Sequence, residues 1–267
     1  MFNPSSGFNS DRFLFVSEDG TISGWRGALG TTAEVLATGL PDNIYKGVAL
    51  ATIGSDTYLY AANFKTGKID VVKGNAGAPD LAGNFTDPNL PAGYAPFNIQ
   101  LLGGKLYVTY ALVDPSTGDD VSGAGHGFVD EFNTDGTLVA RVGTAGTLDS
   151  PWGLALAPAS FGAFAGDLLV GNFGDGRVNV FDLGTDAFVD QLDGLDGNPL
   201  SIDGLWGLAA GNDGSGGSSQ AIYFSAGPDD ESHGLFGVIG LAVPEPSALL
   251  LLFVAFAGMW RTARRLA

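Results

Sequence analysis

A single pattern recurs five times along this chain and narrows the choice of folds more than any other feature. Each copy is an alternating apolar strand, a turn, and a second strand opened by glycine. The copies are Phe13–Trp25, Leu59–Val72, Leu106–Tyr110 continued after an insertion by Gly127–Phe132, Leu168–Phe181, and Ile222–Ala226 continued by Gly234–Ile239. Their marker glycines, Gly20, Gly67, Gly127, Gly176 and Gly234, follow one another at roughly 50-residue intervals, a period typical of repeat architectures. Another apolar strand precedes four of the copies, at Gly47–Ala51, Phe97–Leu101, Trp152–Leu156 and Trp206–Ala210. A further one follows three of them, at Glu34–Ala37, Leu138–Val142 and Phe188–Leu192. Four short strands per repeat is the unit of a β-propeller blade. Asp19-Gly20, Asp135-Gly136 and Asp175-Gly176 supply the tight-turn chemistry that hairpins need.

Composition supports this reading. The 267 residues include 42 Gly and 13 Pro, 45% are hydrophobic and only 15% are charged. Collagen is excluded because glycine keeps no three-residue period, and a coiled coil because no heptads occur. A jelly roll has no four-strand repeat, and a calcium β-roll needs a nine-residue Gly/Asp period that is not present. First strands carry small residues, such as Gly153, Ala155, Gly207 and Ala209, as a crowded centre requires. The blades do not count evenly. Residues 13–37 hold a second, third and fourth strand without a first, and residues 206–239 hold a first, second and third without a fourth. The expectation is an all-β propeller of four-stranded blades, of the six-bladed type with about four and a half blades present, followed by a C-terminal hydrophobic helix. Its ends would expose unpaired edges.

The formal charge is −17, from 12 basic and 29 acidic residues, and such a surface repels phosphate backbones, so nucleic acid is not an expected partner. The absence of cysteine removes disulfides, Cys-ligated zinc, iron–sulfur clusters and thiol nucleophiles, and is compatible with export.

The last residues divide into three parts: Val243-Pro244-Glu245-Pro246, the 14 uncharged residues from Ser247 to Trp260, and a basic end with Arg261, Arg264 and Arg265. The prolines force an extended entry. As a helix the apolar run covers about 21 Å, short of a bilayer core of about 30 Å. It is apolar on all sides, unlike a helix packed on a domain. Trp260 suits the interface, and the arginines would stay cytoplasmic. This layout resembles the PEP-CTERM sorting signal of Gram-negative bacteria, with Pro244, Glu245 and Pro246 matching the motif residue by residue. The resemblance implies recognition by exosortase, a membrane enzyme, removal of the tail, and delivery to the cell surface or an exopolysaccharide matrix. An exported protein should also open with a basic segment, an apolar run and a cleavage site. Residues 1–12 are polar and loop-like instead, which, with the uneven blade count, predicts a start lacking a signal peptide, roughly one blade and part of another. The body over about 12–240 resembles NHL-like six-bladed propellers, and more narrowly a bacterial propeller family that often carries this sorting tail. The segments carrying the likeness are Ser150–Pro158, Gly166–Gly176 and Ile202–Ala209. It brings no established catalytic residues.

Two histidines, His126 and His233, precede marker glycines in equivalent repeats and follow acidic insertions holding Asp114, Asp119 and Asp120, and Asp229, Asp230 and Glu231. They are candidate ligands for Ca2+ or another divalent ion, or for a polar ligand; the plainer reading is that the histidines cap turns. Asn63 and Asn172 end second strands. In gluconolactonase-like propellers, asparagine and acidic side chains near the axis hold a divalent metal. No matching set is assignable here, and a turn-forming asparagine is the default. Trp152 and Trp206 suit either sugar stacking or blade packing. No nucleophile elbow, P-loop or dinucleotide fingerprint occurs in a usable context, so no catalytic residue and no cofactor is assigned. The domain reading is a loop-like 1–12, a propeller over 13–240, and a sorting signal over 243–267 with a short transmembrane segment at 247–260. The functional reading is an exported, non-enzymatic binding scaffold with exosortase, exopolysaccharide or surface proteins, and transiently the membrane, as partners. The alternatives are a metal-dependent, lactonase-like hydrolase and a calcium-stabilised structural protein.

Overall fold

The computed structural model describes residues 1–38 and 43–240. The C-terminal helix, the segment 247–260 and the sorting residues fall outside the described residues. Among those described, no helix is long and apolar enough to cross a membrane.

The repeats fold as five antiparallel sheets arranged as blades. Blade I holds β1 (Phe13–Val16), β2 (Thr21–Trp25) and β3 (Glu34–Thr38). Blade II holds β4 (Tyr45–Ile53), β5 (Asp56–Asn63) and β6 (Lys68–Lys73). Blade III holds β7 (Tyr94–Leu102), β8 (Lys105–Leu112), β9 (Gly127–Phe132) and β10 (Leu138–Thr144). Blade IV holds β11 (Pro151–Leu156), β12 (Leu168–Asn172), β13 (Val178–Asp182) and β14 (Ala187–Gln191). Blade V holds β15 (Leu205–Ala210), β16 (Ile222–Ala226) and β17 (Leu235–Ile239). All five expected hairpins are present, and blades I and V are three-stranded as the repeat pattern predicts. Within the loop-like residues 1–12, Phe2 bridges Phe13 in antiparallel fashion, so residues 1–3 run along the inner edge of β1, a pairing that no repeat pattern announces.

Inner strands pack side by side: β4 against β7, β7 against β11, and β11 against β15. The approach is too close for a side chain. A Cβ on Gly47 would lie 2.7 Å from Asn98 Cα, and one on Gly153 would lie 2.7 Å from the Trp206 carbonyl oxygen. Between blades, alternating side chains form four apolar layers. Leu14, Ile22 and Leu59 join blades I and II; Tyr60, Tyr110 and Phe132 join II and III; Val129, Leu154 and Val170 join III and IV; Val180, Leu205 and Ile222 join IV and V. Each fully buried side chain of this size contributes about 1.5–3 kcal/mol. The predicted Asp-Gly turns form with positive φ at Gly20, Gly136 and Gly176. In each turn the aspartate Oδ1 accepts from the amide two residues on, at 2.9 Å for Asp19, 3.0 Å for Asp135 and 3.1 Å for Asp175.

Blade III also buries a charge cluster. Arg141 bridges Asp130 and Asp87, whose side chains are 0% and 2% exposed, and its guanidinium lies 4.8 Å from the Phe128 ring centroid. Burial pushes the Asp130 carboxyl up to about 6 against the pull of Arg141. The folded protein therefore holds a proton there that the unfolded chain releases at lower pH. The ionised form costs stability as pH rises from about 4 to about 6.

Gly47→Ala and Gly153→Ala lower unfolding free energy by about 1–3 kcal/mol through overpacking. Gly77→Ala, with open space around its Cβ position, stays within about 0.5 kcal/mol; urea unfolding checks all three. Arg141→Met strands two buried carboxylates and costs about 3–5 kcal/mol. Asp130→Asn flattens the fall in melting temperature between about pH 4 and 6.

Candidate functional site

One end of the propeller gathers the starts of the inner strands, the ends of the second strands and the two acidic insertions. Its floor is aromatic. Phe64 and Phe173, which follow the equivalent Asn63 and Asn172, turn towards the axis and meet Phe97 of β7 at centroid distances of 5.2 and 6.3 Å. Trp206 lies tilted against Phe173 at 4.3 Å and meets Trp152 edge-to-face at 5.4 Å. The two indoles are therefore built into the packing, and each N–H has a fixed acceptor. Trp152 Nε1 donates to the Lys46 carbonyl at 3.0 Å, and Trp206 Nε1 donates to Glu231 Oε1 at 2.6 Å. Asn98, buried in an inner strand, donates to the Trp152 carbonyl at 2.7 Å.

Beside this floor, a cavity of about 690 Å³ follows the axis, with Tyr45, Lys46, Asn98, Gln100, Trp152 and Leu208 among its walls. This volume lies within the range of small-ligand and peptide pockets. Lys46 Nζ contacts Glu18 Oε1 at 2.5 Å and Asp119 Oδ1 at 3.5 Å. Burial pulls its ammonium down, but the two carboxylates outweigh that and the net shift is upward. Tyr45 donates to Asp70 Oδ2 at 2.9 Å, and burial together with that carboxylate raises its phenol. The walls offer hydrogen-bond donors, acceptors and apolar surface, which suits binding. No His, Asp or Glu is among the described residues lining it.

The predicted ligand residues are distributed differently. His126 is half-buried, with Nδ1 2.9 Å from the Val121 carbonyl. His233 lies in the equivalent loop, but its side chain is 69% exposed, 3.4 Å from Asp229 Oδ2 and 3.0 Å from Ser232 Oγ. Asp119 is held by Lys46, and Asp114 closes a turn on Ser116. Asp120 pairs through its backbone with Val113. Asp229, Asp230 and Glu231 form a left-handed run, in which the Asp229 amide donates to Asp203 and Glu231 receives Trp206. Among the described residues, no three His, Asp or Glu side chains converge on a point that would hold a metal ion. Asn63 and Asn172 are fully buried turn anchors. Asn63 Nδ2 donates to Asp70 at 2.8 Å and Asn43 at 2.9 Å; Asn172 Nδ2 donates to Asp175 at 2.9 Å and to the Thr147 carbonyl at 2.8 Å.

Residue patterns miss Lys46, Asn98 and Asp149. Asn98 does carry a signal, a polar residue inside an apolar first strand. Asp149 Oδ1 accepts from the Gly123 amide at 2.6 Å, pinning the first insertion to blade IV. Burial raises this carboxyl despite that bond.

Residues 242–265 match the PEP-CTERM protein-sorting motif, so the chain carries that signal for export towards the cell surface. The chain is similar to an uncharacterized protein of Acanthamoeba polyphaga mimivirus, 37% identical over 237 residues, covering 86% of this chain and 57% of the relative. A second uncharacterized protein of that virus is 38% identical over 200 residues, covering 73% and 51%. This chain thus spans about half the length of the curated relatives it matches. In fold it is similar to a β-propeller domain from Myceliophteria thermophila, with a TM-score of 0.52 and 14% identity, covering 92% of this chain and 66% of that one.

Asp149→Ala frees the Gly123 amide and costs about 1–3 kcal/mol, with faster proteolysis of the 114–126 insertion. His233→Ala, on an exposed side chain, changes stability by less than about 0.5 kcal/mol. Thermal melts and timed Asp-N digests, which cut before Asp119 and Asp120 of the insertion, distinguish the two.

Proposed function

We propose that this chain is an exported surface or matrix protein of a Gram-negative bacterium, whose NHL-like propeller over 13–240 is a binding scaffold delivered by an exosortase. The observation that carries this reading is the sorting motif over 242–265. In it Pro244, Glu245 and Pro246 form the recognition site, the run 247–260 sits briefly in the inner membrane, and Arg261, Arg264 and Arg265 hold the cytoplasmic side. The aromatic floor and the axial cavity support binding as the activity of the body, with exopolysaccharide or a surface protein as its counterpart.

Expressed behind a secretory signal peptide in a host with an exosortase, the wild-type chain should give a product shortened at its C-terminus and released from the inner membrane. The double variant Pro244→Ala, Glu245→Ala should remain full-length in the membrane fraction. Intact-protein mass and fractionation read both. A wild-type product of full length in the cytosol overturns the reading.

A further inference from the structure

We infer that copies of this chain associate head to tail through two sheet edges, the outer edge of β6 in one copy receiving the outer edge of β14 in the next. This self-association goes beyond the scaffold reading and does not depend on sorting.

Blade II ends at β6, where blades III and IV each add a fourth strand. The Gly74 amide donates to the Thr57 carbonyl at 2.7 Å, so in the β5–β6 register the pairs Leu59–Val72 and Ala61–Asp70 exchange the ladder bonds. Antiparallel pairing alternates, and Ile69 and Val71 therefore turn their N–H and C=O away from β5. Among the described residues nothing bonds to these groups. They border a groove of about 380 Å³, with Lys68, Ile69 and Val71 on one side and Asn84, Phe85 and Thr86 on the other. The groove is built wholly from residues 68–86, so the connection between blades II and III sets its shape.

Charge selects the occupant. Lys65 and Lys68 beside this edge are exposed, and among the described residues neither is ion-paired. β14, the outermost strand of blade IV, is the opposite case. Asp186 before it and Asp190 within it are exposed, and among the described residues no basic group pairs with them. Phe188 and Val189 stand exposed between the two aspartates. Two β6 edges would oppose their lysines and two β14 edges their aspartates, and like charges facing across a ladder are destabilising. The mixed pairing joins opposite charges and brings the exposed apolar side chains of β14 to Val71 and the groove. β10, the outer strand of blade III, holds no acidic residue. Main-chain bonds and apolar contact supply the affinity in strand addition, while each exposed ion pair adds little and acts on the choice of partner. The two surfaces differ, so the contact propagates from copy to copy instead of closing on a two-fold dimer.

Sedimentation velocity tests this on the purified full chain, in a neutral detergent that shields the apolar run 247–260. Species that keep growing with concentration are expected at physiological ionic strength. Lys68→Glu and Asp190→Lys should each weaken association about tenfold, since each replaces an attraction by a repulsion. Mixing the two variants, or combining both changes in one chain, should restore it, because opposite charges then face each other again. Val71→Pro removes an N–H that the single copy does not use, and should abolish association while the melting temperature is retained. If that variant unfolds, the charge-swap mixture decides. A monomer at every concentration, growth that stops at a dimer, association that neither swap weakens, or a mixture that does not recover would each overturn the inference. Failure of tail processing leaves it intact, and its failure leaves the sorting reading intact.

Discussion

Everything in this molecule depends on how closely the inner strands approach one another. Where β4 meets β7, and where β11 meets β15, a backbone lies where a Cβ would otherwise be, at Gly47 and Gly153. That proximity sets the blade angle. It brings Asn98 within reach of the Trp152 carbonyl and the Trp152 indole within reach of the Lys46 carbonyl. Three blades are thus tied by two hydrogen bonds around the axis. A buried donor left without its acceptor costs more than the bond contributes, so these ties resist any sliding of one blade against the next.

The same approach shapes the cavity. Inner strands that converge at one end leave the axial space to the side chains they project. Phe64, Phe97, Phe173, Trp152 and Trp206 fill part of it. The remainder is the open cavity beside them, with Lys46, Asn98 and Gln100 among its walls. The floor is therefore apolar, while one side offers polar groups. A binding surface with that division gains little from charge, and the one lysine in it is already held by Glu18 and Asp119.

Charge acts elsewhere. The acidic surface is organised into short caps, with Asp19 and Asp135 held below the usual carboxylate range first by hydrogen bonds from Ser17 and Thr137, respectively. Asp130 is the opposite case, a carboxyl raised by burial despite Arg141. Acid titration thus touches two populations. The caps are lost only at low pH, whereas the blade III cluster is relieved by the first protons to bind.

The amino-acid sequence by itself determined the hairpins, the turns and the sorting signal. All three are local: period-two alternation, Asp-Gly geometry and a proline-flanked apolar run act through neighbours in the chain. Asn63 and Asn172 were legible as turn residues for the same reason, and Trp152 and Trp206 as packing residues because they open inner strands. Only the tertiary structure decided which equivalent positions are alike in fact. His126 and His233 share a place in the repeat, yet one is enclosed by the Asp149-pinned insertion while the other stands in solvent. Lys46, the aromatic floor and the residue 1–3 ladder were likewise set by contacts between distant segments. Repetition in sequence specifies each blade, but the surroundings of a side chain depend on the neighbouring blade, and that neighbour is chosen by packing.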